Sequence, residues 1–259
     1  MNGCVCCTVR EDLATTLNDM KTKYVDQDKI DYIILETTGM ADPGPVLSTF
    51  LIHPDIQDWA YVDSCITVAD STQIVDQLND DREEGCENEA VEQVCFADKV
   101  LLNKIDICSA EKLEAATKKI KEYNTTVEIA NVQLNNKNIP FDELLNQKAF
   151  DIERCLELDD TLVDQDAFAN HKHDSRIGTF SYRMEAEMSE ESAGTFINSI
   201  LAEKGANIYR MKGFIAVQGD DLKYVFHSVG MLMQLEPLEE WEPDEKRECL
   251  IVIIGKHLE

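Results

Sequence analysis

Three short stretches of this sequence bring together residue types that do chemistry as a group. Cys4-Val5-Cys6-Cys7 puts three thiols within four residues, closer than in a structural zinc finger, where two pairs meet from distant segments. Thiolates favour Zn²⁺ or Cu(I), and three of them leave at least one position for another residue or an incoming ligand. Such an incomplete set suits transfer better than storage, and His53 is one candidate for the open position. The alternative is three unligated thiols at a helix start, which would oxidise readily. Glu36-Thr37-Thr38-Gly39 follows an apolar run. A carboxylate there can hold Mg²⁺ directly or through water, and the glycine lets a backbone N–H approach a γ-phosphate. Alternatively, Glu36 caps the following turn. Asn103-Lys104-Ile105-Asp106 follows a second apolar run. An aspartate in such a loop can accept from both the ring N–H and the exocyclic amine of guanine, a pair that adenine does not offer. The alternative is an ordinary polar loop. His171 and His173 would point the same way on an extended strand, but two histidines in an acidic stretch read first as a solvated linker.

These stretches need elements to position them. The spacing of Thr8 and Glu11 suggests a capping box, and Val9, Leu13, Leu17, Met20 and Tyr24 recur at helical intervals, which predicts a helix over 8–24. Ile30 to Leu35 is β-branched and apolar, the pattern of a strand buried on both faces, and the Gly- and Pro-containing stretch 36–45 reads as a loop. The alternation continues with a strand over 64–69, a helix over 89–97, a buried strand over 99–102, a charged amphipathic helix over 110–123, a strand over 126–129 and a short helix over 141–145. Strands that alternate with helices imply βαβ units and a mostly parallel sheet, whose loops at the carboxyl ends of the strands face ligand. After an acidic, weakly periodic stretch the grammar changes. Strands over 178–186, 213–219, 224–229 and 250–254 accompany a single helix over 189–204, the mark of a smaller α+β unit.

Composition narrows the function classes. The chain has 259 residues and a formal net charge of −27, from 24 basic against 51 acidic side chains. A surface this acidic repels phosphate backbones, so nucleic acid and anionic membrane surfaces are disfavoured as partners. No apolar run approaches the roughly 20 residues that span a bilayer, and the first residues have no secretory pattern, so a cytoplasmic setting is expected. An odd count of nine cysteines does not suggest a disulfide framework. Cys65, Cys86, Cys95, Cys108, Cys155 and Cys249 are dispersed and read as small hydrophobes.

Taken in order, Gly3-Cys4-Val5-Cys6-Cys7-Thr8-Val9-Arg10, then Glu36-Thr37-Thr38-Gly39-Met40-Ala41-Asp42-Pro43, then Glu92-Gln93-Val94-Cys95-Phe96-Ala97-Asp98 leading into Leu101-Leu102-Asn103-Lys104-Ile105-Asp106, resemble the successive motifs of the CobW-type GTPases. Ile208 to Gly219 and Leu250 to Lys256 resemble the C-terminal domain of that family. The resemblance covers nearly the whole chain and leans toward the zinc-regulated GTPase metalloprotein activators.

The resemblance implies an α/β fold: a P-loop GTPase-type, mostly parallel sheet in residues 1–150, an acidic linker over 151–175 and an α+β CobW C-terminal domain over 176–259. It implies that Cys4, Cys6 and Cys7 are metal ligands for Zn²⁺ or another transition metal. Glu36 would act catalytically near Mg²⁺ and the attacking water, and Gly39, Asn103, Lys104 and Asp106 would bind the guanine nucleotide. GTP hydrolysis would be coupled to metal transfer into a client metalloprotein, with a second copy of the chain as a further candidate partner. Two departures stand out. The sequence holds no G-x-x-x-x-G-K-[ST] phosphate loop, a motif the family carries upstream of the cysteines. The resemblance therefore implies an N-terminally incomplete sheet without its first strand and P-loop, and the alternative is a GTPase-inactive metal-binding or interaction protein. Gly230 stands where relatives often have histidine.

Overall fold

A computed structural model of the chain describes residues 5–80, 82, 88–136, 141–149, 177–243 and 245–258. The first layer is a parallel sheet of β1 (Ile66–Asp70), β2 (Lys99–Asn103) and β3 (Glu128–Asn131) in the order β1-β2-β3. Val100, Leu101 and Leu102 make β2 apolar on both faces, so it takes the centre, as a parallel strand covered on two sides must. Helices α1 (Val5–Lys23), α2 (Gly44–Ile52), α3 (Pro54–Gln57), α4 (Ile74–Leu78), α5 (Glu89–Phe96), α6 (Ala110–Tyr123) and α7 (Phe141–Leu144) accompany it. Their starts follow local chemistry. The Asn88 side chain accepts from Ala90 and Val91 N–H at the start of α5, and Ser109 accepts from Lys112 N–H at the start of α6. Ala116, Ile120 and Tyr123 then form the buried stripe of α6.

The second layer is an antiparallel sheet of β4 (Ile177–Met184), β5 (Ile208–Ala216), β6 (Leu222–Val229), β7 (Leu232–Glu240) and β8 (Cys249–Lys256), in the order β4-β8-β5-β6-β7. Helix α8 (Glu190–Lys204), capped by Ser189, lays Ala193 and Ile197 on a core with Met211, Phe214, Ile251 and Ile253. Strands β5 and β8 approach so closely that a Cβ at Gly213 would collide with the Leu250 carbonyl and the Phe226 ring, which explains glycine at that point. Apolar residues of this sheet, Tyr209, Val229 and Ile254, join the core under the parallel sheet, so the two layers share one seam.

Four expectations need correction. Residues 30–35 run outside any ladder of the described residues, with Ile34 79% exposed and Tyr32 and Leu35 on the surface. The residue types suit a strand, but a strand exists only where a neighbour completes its hydrogen bonds, and among the described strands none pairs with this segment. Ile33 packs against the small cluster of Ala14, Leu17 and Ile56. Helix α1 starts at or before Val5, so Thr8 lies within it rather than at its cap. Part of the stretch read as loop is helix α2, which begins between Pro43 and Pro45; proline in a first turn loses no needed N–H. Strand β7, with Pro237 on the sheet edge, was not expected. The acidic stretch with His171 and His173 lies outside the described residues, as do Cys86 and Cys155. Cys95 and Cys249 are buried, as small hydrophobes would be, and Cys65 and Cys108 are half-buried.

Candidate nucleotide and metal site

The carboxyl edge of the parallel sheet assembles one candidate site. Strands β1 and β2 are in register there, Asp70 opposite Asn103. The Asn103 carbonyl accepts from Ser71 N–H at 3.0 Å, and its Oδ1 accepts from Leu134 N–H at 3.0 Å. Asn103 thus fastens β2 to the segments that follow both neighbouring strands. Lys104 then leaves the ladder in the left-handed region, φ 65°, and its Nζ donates to Asp70 Oδ2 at 2.6 Å. The other oxygen of Asp70 accepts from Thr72 N–H at 2.9 Å and Thr72 Oγ1 at 2.6 Å. Burial raises the Asp70 carboxyl, but the hydrogen bonds from Lys104 and Thr72 outweigh it and hold the group below its ordinary value. Residues Ile105–Ile107 form one 3₁₀ turn, which leaves Asp106 exposed with Oδ2 accepting from Asn135 Nδ2 at 3.4 Å.

Three of the expected residues, Asn103, Lys104 and Asp106, therefore stand together in one turn. Asp70, Thr72 and Asn135 complete the arrangement and were not expected from sequence. The available signal was Asp70 itself, a carboxylate closing a strand at the same edge of the sheet as Asn103.

Glu36 and Gly39 lie on a separate exposed loop. Its turn is closed by Ala41 N–H on the Thr38 carbonyl at 3.0 Å, and Gln93 Nε2 of α5 donates to the Ala41 carbonyl at 3.0 Å. The side-chain acceptor before α2 is Asp42, which receives Gly44 N–H at 2.8 Å. Asp42, not Glu36, is the side chain that accepts a backbone N–H here, and Glu36 is exposed.

Cys4 and the side chains of Cys6 and Cys7 lie outside the described residues; the backbone of Cys6 and Cys7 belongs to the first turn of α1. Among the described residues no group of three His, Cys, Asp or Glu side chains could hold a metal ion. His53 sits between α2 and α3 with Nδ1 3.7 Å from Asp55 Oδ1. One turn beyond Cys6 on α1, Arg10 lines an open cleft of about 340 Å³ at the seam between the layers, together with Asp42, Glu92, Tyr209, Gly230 and Lys256.

The seam itself is built on Asp98, the residue between α5 and β2. Its Oδ1 meets Arg210 Nη2 at 2.5 Å and Lys212 Nζ at 2.9 Å, both from β5, and its Oδ2 accepts from Cys65 N–H at 2.9 Å. Arg210 Nη1 also donates to the Phe96 carbonyl at 2.8 Å, and Lys212 Nζ to the Ala149 carbonyl at 2.7 Å. Burial raises the Asp98 carboxyl, and the charges of Arg210 and Lys212 overcome that and keep it below its ordinary value. Beside them, burial and then the same two cations push His227 down to about 4, against smaller upward pulls from Gln234 and Asp98. Burial, then Asp98, raises the Cys65 thiol to about 12, so it is a neutral thiol at physiological pH.

Comparison with known proteins adds to this geometry. The family description "CobW/HypB/UreG, nucleotide-binding domain" matches residues 1–131, and "Cobalamin synthesis protein cobW C-terminal domain" matches residues 177–259. Zinc chaperone CobW of Pseudomonas aeruginosa is 30% identical over 280 residues, covering 100% of this chain and 70% of that protein. Zinc-regulated GTPase metalloprotein activator 1 of Dictyostelium discoideum is 26% identical over 269 residues, covering 95% of this chain; the chain spans 54% of that relative's length. The crystal structure of the Zn(II)-bound YjiA GTPase from E. coli superposes with a TM-score of 0.73 at 23% identity, over 96% of this chain and 73% of that one, a likeness of fold. Among the described residues no helix is long and apolar enough to cross a membrane.

Proposed function

From the premise that the chain belongs to the CobW family of nucleotide-binding proteins, we propose that it serves in GTP-dependent delivery of zinc to a client metalloprotein. The observation that carries this reading is the turn after β2. Asn103, Lys104 and Asp106 stand at the carboxyl edge of a parallel sheet, where open α/β folds bind ligand. Asn103 secures the turn, and Asp106 offers its carboxylate to the ring N–H and amine of guanine. Glu36 and Gly39 supply the side of the site nearer Mg²⁺, the attacking water and the γ-phosphate; their exposure leaves both accessible. Cys4, Cys6 and Cys7 hold the metal. Three thiolates fit Zn²⁺ and leave a coordination position for exchange with a client. The positive end of the α1 dipole, where Cys6 and Cys7 stand, favours such an anionic ligand set. The zinc chaperone and zinc-regulated activator among the relatives support zinc as the cargo.

A second reading has its own support. No stretch of the 259 residues has the pattern of a phosphate-binding loop, whose backbone N–H groups and lysine cradle the β- and γ-phosphates. On this reading the chain keeps the metal site and the C-terminal unit, and binds metal or partner without turnover. Magnesium-dependent GTP hydrolysis above background by the 259-residue chain eliminates it; absence of hydrolysis with retained zinc binding favours it. The metal assignment has a separate test. Equilibrium dialysis should find stoichiometric Zn²⁺ on the wild type and lose it in a variant with Cys4, Cys6 and Cys7 all changed to serine. Equal binding by the two proteins removes the cysteine assignment.

A further inference from the structure

We propose that Asp70 is a positioning residue for the guanine-reading turn, setting Lys104 before any nucleotide arrives; this rests on the reading of Asn103–Asp106 given above. The argument begins with the backbone. Lys104 is the first residue beyond β2 and adopts φ 65°, ψ 32°, a left-handed conformation that is unfavourable for a side-chain-bearing residue and persists where its surroundings enforce it. Two backbone hydrogen bonds flank it, Ser71 N–H to the Asn103 carbonyl and Ile107 N–H to the Lys104 carbonyl at 3.2 Å. The side chain is then fixed at its far end by the 2.6 Å bond to Asp70 Oδ2.

Asp70 is suited to the task because its own neighbours hold it at several points. Its backbone belongs to β1 in register with Asn103. Its Oδ1 is occupied by both donors of Thr72, and its carbonyl accepts from Gln73 N–H at 3.0 Å. With Oδ1 committed, Oδ2 presents a single acceptor in a single place. A free lysine carries substantial rotamer entropy, and ordering it before binding removes that cost from the association step. The tether also decides where the ammonium goes. Asp106 is two residues from Lys104, and its carboxylate is the group that reads the base. With Lys104 held on Asp70, the ammonium is drawn away from Asp106, whose Oδ2 faces the neutral Asn135 amide and whose carboxylate remains an acceptor for guanine.

The test is a double-mutant cycle on the affinity of the full chain for GDP, with ADP as the control, read by calorimetry. Asp70→Asn keeps an Oδ1 acceptor for Thr72 but replaces Oδ2 with a donor, so the fold is retained while the lysine is released; a melting curve checks this. The expected result is about a tenfold loss of GDP affinity, equivalent to about 1.4 kcal/mol. In a Lys104→Met background the same Asp70→Asn change should have no further effect, because Asp70 acts through the lysine. Independently of nucleotide, the Lys104 Nζ signal in ¹H–¹⁵N ammonium spectra should be observed in the wild type and broadened away in Asp70→Asn. An unchanged GDP affinity, an effect that persists undiminished in the Lys104→Met background, or an unchanged Nζ signal overturns the proposal. Asp106→Asn separates the two levels. If it abolishes the preference for GDP over ADP while Asp70→Asn is silent, only the role of Asp70 fails; if the wild type has no such preference, the reading of the turn fails and this proposal with it.

Discussion

Strand β2 has a carboxylate–lysine contact at each end, and the two have nearly the same length but different surroundings. At its start, Asp98 meets Lys212 at 2.9 Å and Arg210 beside it, with the Asp98 and Arg210 side chains only 6% and 4% exposed. At its end, Asp70 meets Lys104 at 2.6 Å, with 18% and 50% exposed. In the first set Asp98 and Arg210 are withdrawn from water, Lys212 keeps 20% of its side chain exposed, and backbone groups of Cys65, Phe96 and Ala149 serve as further partners. The second set is more open, with the Lys104 ammonium half in solvent. Ion pairs of one chemistry thus stand in two settings: a dry one at the seam between the layers, and a wetter one at the turn for which nucleotide binding is proposed. Burial, rather than residue type, separates the contact at the seam from the contact at the turn.

The comparison is broken most directly at the dry end. Asp98→Ala removes the carboxylate shared by the buried Arg210 guanidinium and the Lys212 ammonium, for which a loss of about 3–5 kcal/mol is expected. Urea unfolding at neutral pH checks it, and a loss below 1 kcal/mol would mean that water reaches the seam and that the contrast drawn here is mistaken. Asp98→Asn should recover only part of the loss, since the amide can still receive Cys65 N–H but cannot balance two cations.

Next in size is a dependence on acid. His227 is held neutral, its value lowered from 6.5 to about 4 by burial and by Arg210 and Lys212. The unfolded chain therefore binds a proton at higher pH than the folded one. Stability is fully present above pH 6.5 and is lost as the pH falls from 6.5 toward 4, by at most about 3 kcal/mol at 1.36 kcal/mol per unit. Asp98, also lowered, adds a loss of the same sign at still lower pH, below its ordinary value of 3.8. Comparing urea midpoints at pH 7 and pH 5 for the wild type and His227→Gln tests the first part: the variant should lose most of the difference between the two pH values.

The two ends of β2 also differ in how far the sequence could be read. The turn at the wet end was legible because its chemistry is local. Asn103, Lys104 and Asp106 lie within four residues, after an apolar run that could only be a buried strand. Asp70 was not, because its partner is 34 residues away and reaches it through the parallel register of β1 on β2. At the dry end Asp98 stood out as part of a motif, but Arg210 and Lys212 are more than a hundred residues distant and only the folded seam brings them to it. The fold follows the same rule. The helix expected over 189–204 is α8, Glu190–Lys204, and the alternation of apolar runs with amphipathic stretches announced the parallel sheet. The segment Ile30 to Leu35 has strand composition without a strand, because pairing is a property of the neighbour. Pro43 and Pro45 signalled an irregular stretch when they mark the first turn of α2.

The smallest effect sharpens the contrast most. Removing the charge at the wet end by Asp70→Asn should change the free energy of unfolding by no more than about 1 kcal/mol, since a half-exposed lysine regains water when its partner is lost and solvent screens the pair. Oδ1 remains available to Thr72, so the bend after β1 should be kept. Asp98→Asn makes the same chemical change and should have a several-fold larger effect under identical conditions. Added salt extends the test. At 1 M ionic strength, where the screening length falls to about 3 Å, the small contribution of Asp70 should vanish while that of Asp98, shielded from ions, should persist. Urea curves of the two variants at low and high salt measure all four numbers, and equal effects at the two positions would show that burial does not separate these pairs.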